Sequence, residues 1–214
     1  MQRSISKAMI AAAALLMGGC TLQTTLPPVN AYRIKPIEVA PYGSRNACSE
    51  KTLRVSLTLA PDFFKSPQIH YADENFEEYD YTRSRWAESP DRQLRHLFES
   101  ALAQSGLFGS VITYDSQAYN DLLFEPKIND FMQYFERDGS AYVHVDMELV
   151  LMDQESNLVI ATRHINKRRV TESADAIGAV KGFNAIVHET LNETTGWLDD
   201  LCKQESFPKE IRGQ

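Results

Sequence analysis

The chain has 214 residues, with 22 Lys plus Arg against 29 Asp plus Glu, a net charge of −7 and 43 % hydrophobic residues. That length and apolar content suffice for one domain with a sizeable core. The acid excess removes the counterion-release term that drives binding to DNA or RNA, so a nucleic-acid role is excluded.

The first residues run in the order of an export signal. Arg3 and Lys7 carry the charge, Ala8 to Met17 form an uncharged apolar core, and Gly18-Gly19 precede Cys20. A core of about 10 apolar residues suits such a signal and falls short of the roughly 20 that span a bilayer as a helix. The stretch Leu16-Met17-Gly18-Gly19-Cys20 resembles a lipobox, with Met17 where Leu is usual. On this reading residues 1–19 are a lipoprotein signal peptide and Cys20 is the lipidated first residue of the mature chain. Removing Arg3 and Lys7 takes Lys plus Arg from 22 to about 20 against 29 acids, a mature charge of about −9. An acidic surface is repelled by anionic head groups, so the attachment rests on the lipid.

Residues 20–31 contain Thr24, Thr25, Pro27 and Pro28 without an apolar period and read as a short tether. Tyr32 to Val39 partly alternates, as an edge strand broken at Pro36 would. Leu53, Val55, Leu57 and Leu59 alternate with polar residues and predict a strand with all four on the core face. Gln68 to Tyr71 and Glu78 to Arg83 predict two short strands around an acidic turn, with Ile69, Tyr71, Tyr79 and Tyr81 as packing positions. Ser89-Pro90 then opens a helix, Ser89 as cap and Pro90 at the first position, with Leu94, Leu97, Phe98, Ala101 and Leu102 at helical spacing and Gly106 as the stop.

Val111 to Tyr114 predicts a further strand. Leu122 to Phe135, Tyr142 to Met152 and Leu158 to Val170 predict an antiparallel meander with tight turns. A last helix is expected from about Ser173 to Leu201, its apolar face built from Ile177, Val180, Phe183, Ile186, Val187, Leu191, Leu198 and Leu201. Gly178, Gly182 and Gly196 admit either close packing on the sheet or a break near Gly196. The whole is a single α+β domain over residues 32–202, with two main helices on a mostly antiparallel sheet, followed by a polar tail over 203–214.

Chemistry-bearing spacings are absent: no phosphate loop, no His-Glu-x-x-His, no Cys-x-x-Cys and no Gly-x-Ser-x-Gly elbow. The sequence therefore assigns no catalytic residue, metal ligand or cofactor site. The histidines, His70, His96, His144, His164 and His188, are dispersed. His144 and Asp146 share a strand face and could pair as base and carboxylate, although a solvated sheet face accounts for them equally. Lys167-Arg168-Arg169 is the compact basic cluster, suited to an acidic partner, to a phospholipid head group or simply to a wet strand end. Phe76, Tyr79, Tyr81 and Trp86 suit either a partner surface or packing beneath the first helix. Cys48 and Cys202 would face an oxidising compartment, where a bridge closing a loop of roughly 155 residues and two unpaired thiols both remain open.

The early strand around Leu53 to Leu59, Ile69-His70-Tyr71, the Tyr79 to Trp86 segment, Pro90, and Leu94 to Phe108 followed by long strands and a terminal helix carry a resemblance. Together they resemble the auxiliary lipoprotein component of ABC-type transport systems, the group that includes PqiC-type lipoproteins, over roughly Tyr32 to Leu201. The resemblance implies a non-catalytic, outer-membrane-anchored periplasmic partner of an MCE-domain protein in an ABC-type system that moves phospholipid between membranes. Relatives of this type can assemble as homo-oligomeric rings, although no oligomer interface is legible in these residues. Thr21, in place of the Asp associated with inner-membrane retention, favours the outer membrane. The alternatives are a free-standing periplasmic lipid carrier and an envelope esterase.

Overall fold

The computed structural model describes residues 27–43 and 46–204. The signal peptide, Cys20, most of the tether and the tail beyond Gln204 lie outside the described residues. In chain order the elements are β1 Asn30–Tyr32, β2 Thr52–Val55, a 3-10 turn Asp62–Lys65, β3 Gln68–Ala72, β4 Glu78–Trp86, α1 Pro90–Ser105, β5 Ser110–Ile112, β6 Leu122–Phe135, β7 Ala141–Asp153, β8 Leu158–Val170 and α2 Ala176–Cys202.

The sheet is built outward from β6. One edge of β6 carries β7, which carries β8, both antiparallel and nearly full length. Its other edge is shared by two short parallel partners, β2 beside Leu122 to Phe124 and β3 beside Gln133 and Tyr134. β5 extends β2, while β4 and then β1 extend β3. Eight strands thus form one mixed sheet whose long ladders are antiparallel. Strict alternation in β7 buries Ala141, Val143, Val145, Met147, Leu149 and Leu151 on one face, as a sheet covered on one side requires.

The two helices cover that face. Leu94, Leu97, Phe98, Ala101 and Leu102 of α1 are buried, and Gly106 ends the helix in the left-handed region at φ 63°, where glycine costs least. Pro90 stands at the helix start as expected, but the Ser89 side chain makes no capping bond. α2 is capped instead by Asp175, whose carboxylate accepts from the Gly178 amide at 2.8 Å. Phe183 stacks on Phe131 at 4.1 Å between ring centres, and Trp86 meets both rings edge-on or tilted. The helix runs unbroken through Gly196, and close approach is required at Gly178 and Gly182 but not at Gly196. Ile177, expected on the apolar face, is instead 51 % exposed.

Two expected strands are changed. After Val55 the ladder of β2 slips: Ser56 and Leu59 both donate to β6, at Phe124 and Pro126, so the alternation shifts. Thr58 is then buried, while Leu57 and Leu59 are 51 % and 55 % exposed. The expected Tyr32 to Val39 strand overlaps β1 at Tyr32 alone, β1 beginning at Asn30 in the expected tether, and the chain beyond it runs as a strap over both helices. Its amides are satisfied by side chains: Ile34 by Gln93, Lys35 by Asn184 and Val39 by Gln104. These backbone groups, of which the Ile34 amide is buried, thus find partners without a neighbouring strand.

Cys48 and Cys202 are joined as a disulfide, their Cα atoms 5.5 Å apart and both side chains buried. The bond ties the segment before β2 to the last turn of α2, where the Ala47 amide also donates to the Cys202 carbonyl at 3.0 Å.

Candidate functional site

Where the chain enters the domain, three shallow grooves run into one another. Pro27 and Pro28 lie with Tyr81, Arg83 and Ile177 along a groove of about 560 Å³. It shares Tyr81 and Asp175 with a second groove of about 440 Å³, walled by Tyr71 and Phe135. The second shares Asp73, Glu74 and Phe135 with a third of about 620 Å³ beneath Phe76. The walls are aromatic because β3, β4 and the end of β6 bring Tyr71, Tyr79, Tyr81 and Phe135 together. Tyr71 lies 5.4 Å from Tyr79, 4.8 Å from Tyr81 and 5.4 Å from Phe135 between ring centres.

Local hydrogen bonds hold this surface in shape. The Tyr81 hydroxyl donates to Gln133 Oε1 at 2.6 Å, and the Gln133 amide reaches the Asp175 carbonyl at 3.4 Å. Burial pushes the Tyr81 phenol well above its ordinary value, so it remains a neutral donor. The hydrogen bond to the Glu77 carboxylate pushes the Tyr79 phenol up to about 12. At the tip of the β3–β4 hairpin, Asp73 Oδ1 accepts from the Asn75 and Glu77 amides at 2.8 and 3.0 Å. This turn holds Phe76 at φ 65° with the side chain 84 % exposed. A bulky residue held left-handed and open to water is a costly arrangement that the turn imposes. The four aromatics singled out in the sequence therefore divide: Trp86 is core, Tyr81 lines the grooves, Tyr79 is half-exposed, and Phe76 is a protruding knob.

The other candidates resolve differently. His144 does not pair with Asp146. Its Nδ1 meets Asp130 at 2.5 Å and its Nε2 meets Asn166 at 3.2 Å, while Asp146 accepts from Asn129 and Asn166. A bulge between Ile128 and Asp130 turns Asp130 outward to reach the histidine. Tyr134 donates to the same Asp130 carboxylate, and burial, followed by that bond, holds its phenol well above the ordinary value. Among the described residues no Ser, Thr or Cys side chain is hydrogen-bonded to His144. The basic cluster is neutralised within the chain: Lys167 meets Glu193 at 2.5 Å, Arg169 pairs with Glu189, and Arg168 pairs with Glu136 while lying over the Tyr142 ring.

Sequence spacing did not mark His70. It is 4 % exposed, with Nδ1 at 2.5 Å from Asp80 and Nε2 at 3.2 Å from Ser66 Oγ. Ser66, His70 and Asp80 thus stand in the order nucleophile, base and carboxylate. The Phe63 carbonyl, however, lies closer to Nε2, at 2.9 Å. Ser66 Oγ also donates to that carbonyl, at 3.3 Å, so the serine hydroxyl has an acceptor other than the histidine. With Phe63 stacked 3.7 Å over the ring, His70 fastens the 3-10 turn to the hairpin. Among the described residues no group of three or more His, Cys, Asp or Glu is arranged to hold a metal ion. Nor is any described helix long and apolar enough to cross a membrane.

Comparison with known families decides what this fold is. The model of the ABC-type transport auxiliary lipoprotein component matches residues 32–193. The chain belongs to the ABC-type transport auxiliary lipoprotein family. This is an accessory transport component, not a known enzyme family. No curated protein matches the chain. A Xanthomonas campestris crystal structure assigned to the DUF330 family shares the fold, with TM-score 0.70, 18 % identity, and 80 % of this chain and 95 % of that one covered. A second crystal structure, of an uncharacterised protein, gives TM-score 0.58 at 15 % identity over 81 % of this chain and 98 % of that one. A PelC dodecamer from Paraburkholderia phytofirmans is more distant, at TM-score 0.42 and 11 % identity over 78 % of this chain and 95 % of that one. In this auxiliary lipoprotein, the entry-end grooves and the Phe76 knob form the exposed surface beside the segment that leads to the expected anchor.

Proposed function

We propose that the chain is a lipid-anchored periplasmic lipoprotein that serves, without catalysis, as the auxiliary component of an ABC-type system moving phospholipid between membranes. Its lipid is carried on Cys20, its site is the periplasmic face of the outer membrane, and its partner is the MCE-domain protein of that system. The family match over residues 32–193 is the observation that carries this reading. The entry-end surface supports it: one exposed aromatic above aromatic-walled grooves suits a protein interface, where such side chains act as anchors. The tether adds reach. Six residues separate Cys20 from Pro27, so the domain stays within roughly 25 Å of the bilayer at full extension. A homo-oligomeric ring is part of the same reading, and the chain's oligomeric state in nanodiscs, measured by native mass spectrometry, checks it.

Genetic epistasis tests the function. Cells lacking this chain and cells lacking the ATPase of the transport system should show the same loss of envelope barrier to detergents, with the double deletion no worse than either. Additive defects would place the chain outside that system and favour a free-standing carrier.

A further inference from the structure

The geometry points to a second site, a binding groove for a zwitterionic amphiphile of the phosphoethanolamine type at the amino end of α1. The depression, of about 580 Å³, runs between the Leu57–Ala60 segment and the first turn of α1. Its volume falls within the roughly 300–1,000 Å³ of small-molecule sites.

The slip after β2 creates its apolar wall. By taking Leu57 and Leu59 off the core face, the slip lays two leucines along the groove, where Tyr114 faces them. The same slip buries Thr58, a residue of the groove wall, to 6 % exposure, and its Oγ1 has no hydrogen-bond partner among the described residues. Asp91 Oδ1, on the opposite wall, is likewise buried and unpartnered. Buried polar atoms are rarely left so, and two on one groove point to a polar ligand group between them.

The charges define that group. Three cations line the groove, but two are engaged: Lys65 with Asp62 at 2.8 Å, and Arg95 with Glu99 at 3.2 Å. Arg92 is exposed and has no ion pair among the described residues, and it rises from a helix start that lacks a side-chain cap. The uncapped first turn, with the positive end of the helix dipole, and a guanidinium together suit a phosphate. Glu88 and Asp91 line the same groove, and a lone anionic head group would leave them facing it unmatched. An ammonium beside the phosphate satisfies them, and an alkyl chain covers the leucines. The occupant is therefore zwitterionic and single-chained where it meets the groove.

The inference rests on the lipid-transport reading for its setting, and the test separates the two. The probe is lysophosphatidylethanolamine with a photoreactive diazirine in its acyl chain, added below its micelle concentration to the full-length lipidated protein in phosphatidylcholine nanodiscs. Adducts should map to the peptides spanning Leu57–Lys65 and Glu88–Arg95. Unlabelled lysophosphatidylethanolamine should compete, lysophosphatidylglycerol should compete about tenfold more weakly, and phosphoethanolamine alone should not, which separates a lipid from a free phosphate ester. Arg92→Glu and Leu59→Asp, both on exposed side chains, should each lower labelling about tenfold with an unchanged melting temperature. Adducts elsewhere, equal competition by lysophosphatidylglycerol, or labelling indifferent to both substitutions would overturn the site. Such a failure would leave the epistasis with the transporter intact.

Discussion

A β-carbon on Gly182 would lie 2.7 Å from Val143 Cγ2, so α2 rests on β7 at a separation that only glycine allows. Gly182→Ala would gain up to about 1 kcal/mol in helix propensity and lose about 1–3 kcal/mol to overpacking against a stiff β-branched side chain. A net loss of stability is expected. Gly178 is tighter still, because its β-carbon would lie 1.9 Å from the Ser173 carbonyl oxygen, and Gly178→Ala should cost more. Gly196 meets only Tyr42 Oη at 3.8 Å, so Gly196→Ala should stabilise by about 0.5–1 kcal/mol. Urea unfolding of the three variants checks the order.

Reducing the Cys48–Cys202 bond frees a loop with a sequence separation of 154. On the chain-entropy model this lowers stability by about 4–5 kcal/mol. The double variant Cys48→Ala, Cys202→Ala should melt far below the oxidised protein and no longer respond to reductant. An equal melting temperature with and without reductant in the parent would contradict this staple.

Acid should loosen the start of α2. Hydrogen bonds from the Gly178 amide and the Ser173 hydroxyl hold the Asp175 carboxyl below its ordinary value of 3.8. A carboxyl depressed by folding stabilises the native state above its unfolded value and loses that contribution as pH falls through the folded one. Amide exchange at Ile177 to Ala179 should therefore rise below about pH 4, whereas Asp175→Asn should flatten that dependence.

His70 is a structural fastener on this account. His70→Ala should destabilise the domain by about 2–3 kcal/mol, through lost buried hydrogen bonds and the Phe63 stack. Ser66→Ala should be nearly neutral, and the purified protein should not hydrolyse short p-nitrophenyl esters. Turnover that disappears in Ser66→Ala would instead establish an esterase.

Much of this fold was legible because local pattern and tertiary role coincide. β6 and β8 occupy the segments expected of them, bounded by turn residues, and α1 lies between Pro90 and Gly106 as its punctuation implies. Leu57 and Leu59 misled because alternation identifies a core face only while the ladder keeps register, and the slip after Val55 depends on β6, distant in sequence. The strap beyond Tyr32 reads as a strand because Gln93, Gln104 and Asn184 replace the neighbouring strand, and no window of sequence contains both. The face shared by His144 and Asp146 was readable; the bulge that delivers Asp130 instead was not. Phe76 stood out as an aromatic, but its outward position follows from the Asp73 turn, which composition does not encode.

The knob should matter for partners and not for folding. Phe76→Ser removes a side chain that is 84 % exposed and should leave the unfolding free energy within about 0.5 kcal/mol of the parent. It should nevertheless reduce recovery of the transport partners from crosslinked envelopes.

The anchor is testable by fractionation. Cys20→Ser should abolish the lipid mass at the amino terminus and move the protein from the membrane to the soluble periplasmic fraction. Replacing Lys167, Arg168 and Arg169 with Gln should leave it membrane-bound, since those cations are engaged within the chain. An unchanged membrane fraction for Cys20→Ser would remove the lipoprotein anchor from this account.

The most direct measurement is affinity purification of the tagged, full-length protein from gently crosslinked, detergent-solubilised envelopes, with the recovered proteins identified by mass spectrometry. The account predicts an MCE-domain protein together with its permease and ATPase, enriched over a tagged, unrelated outer-membrane lipoprotein. Recovery of the intact, lipidated chain with none of these above that control would contradict it.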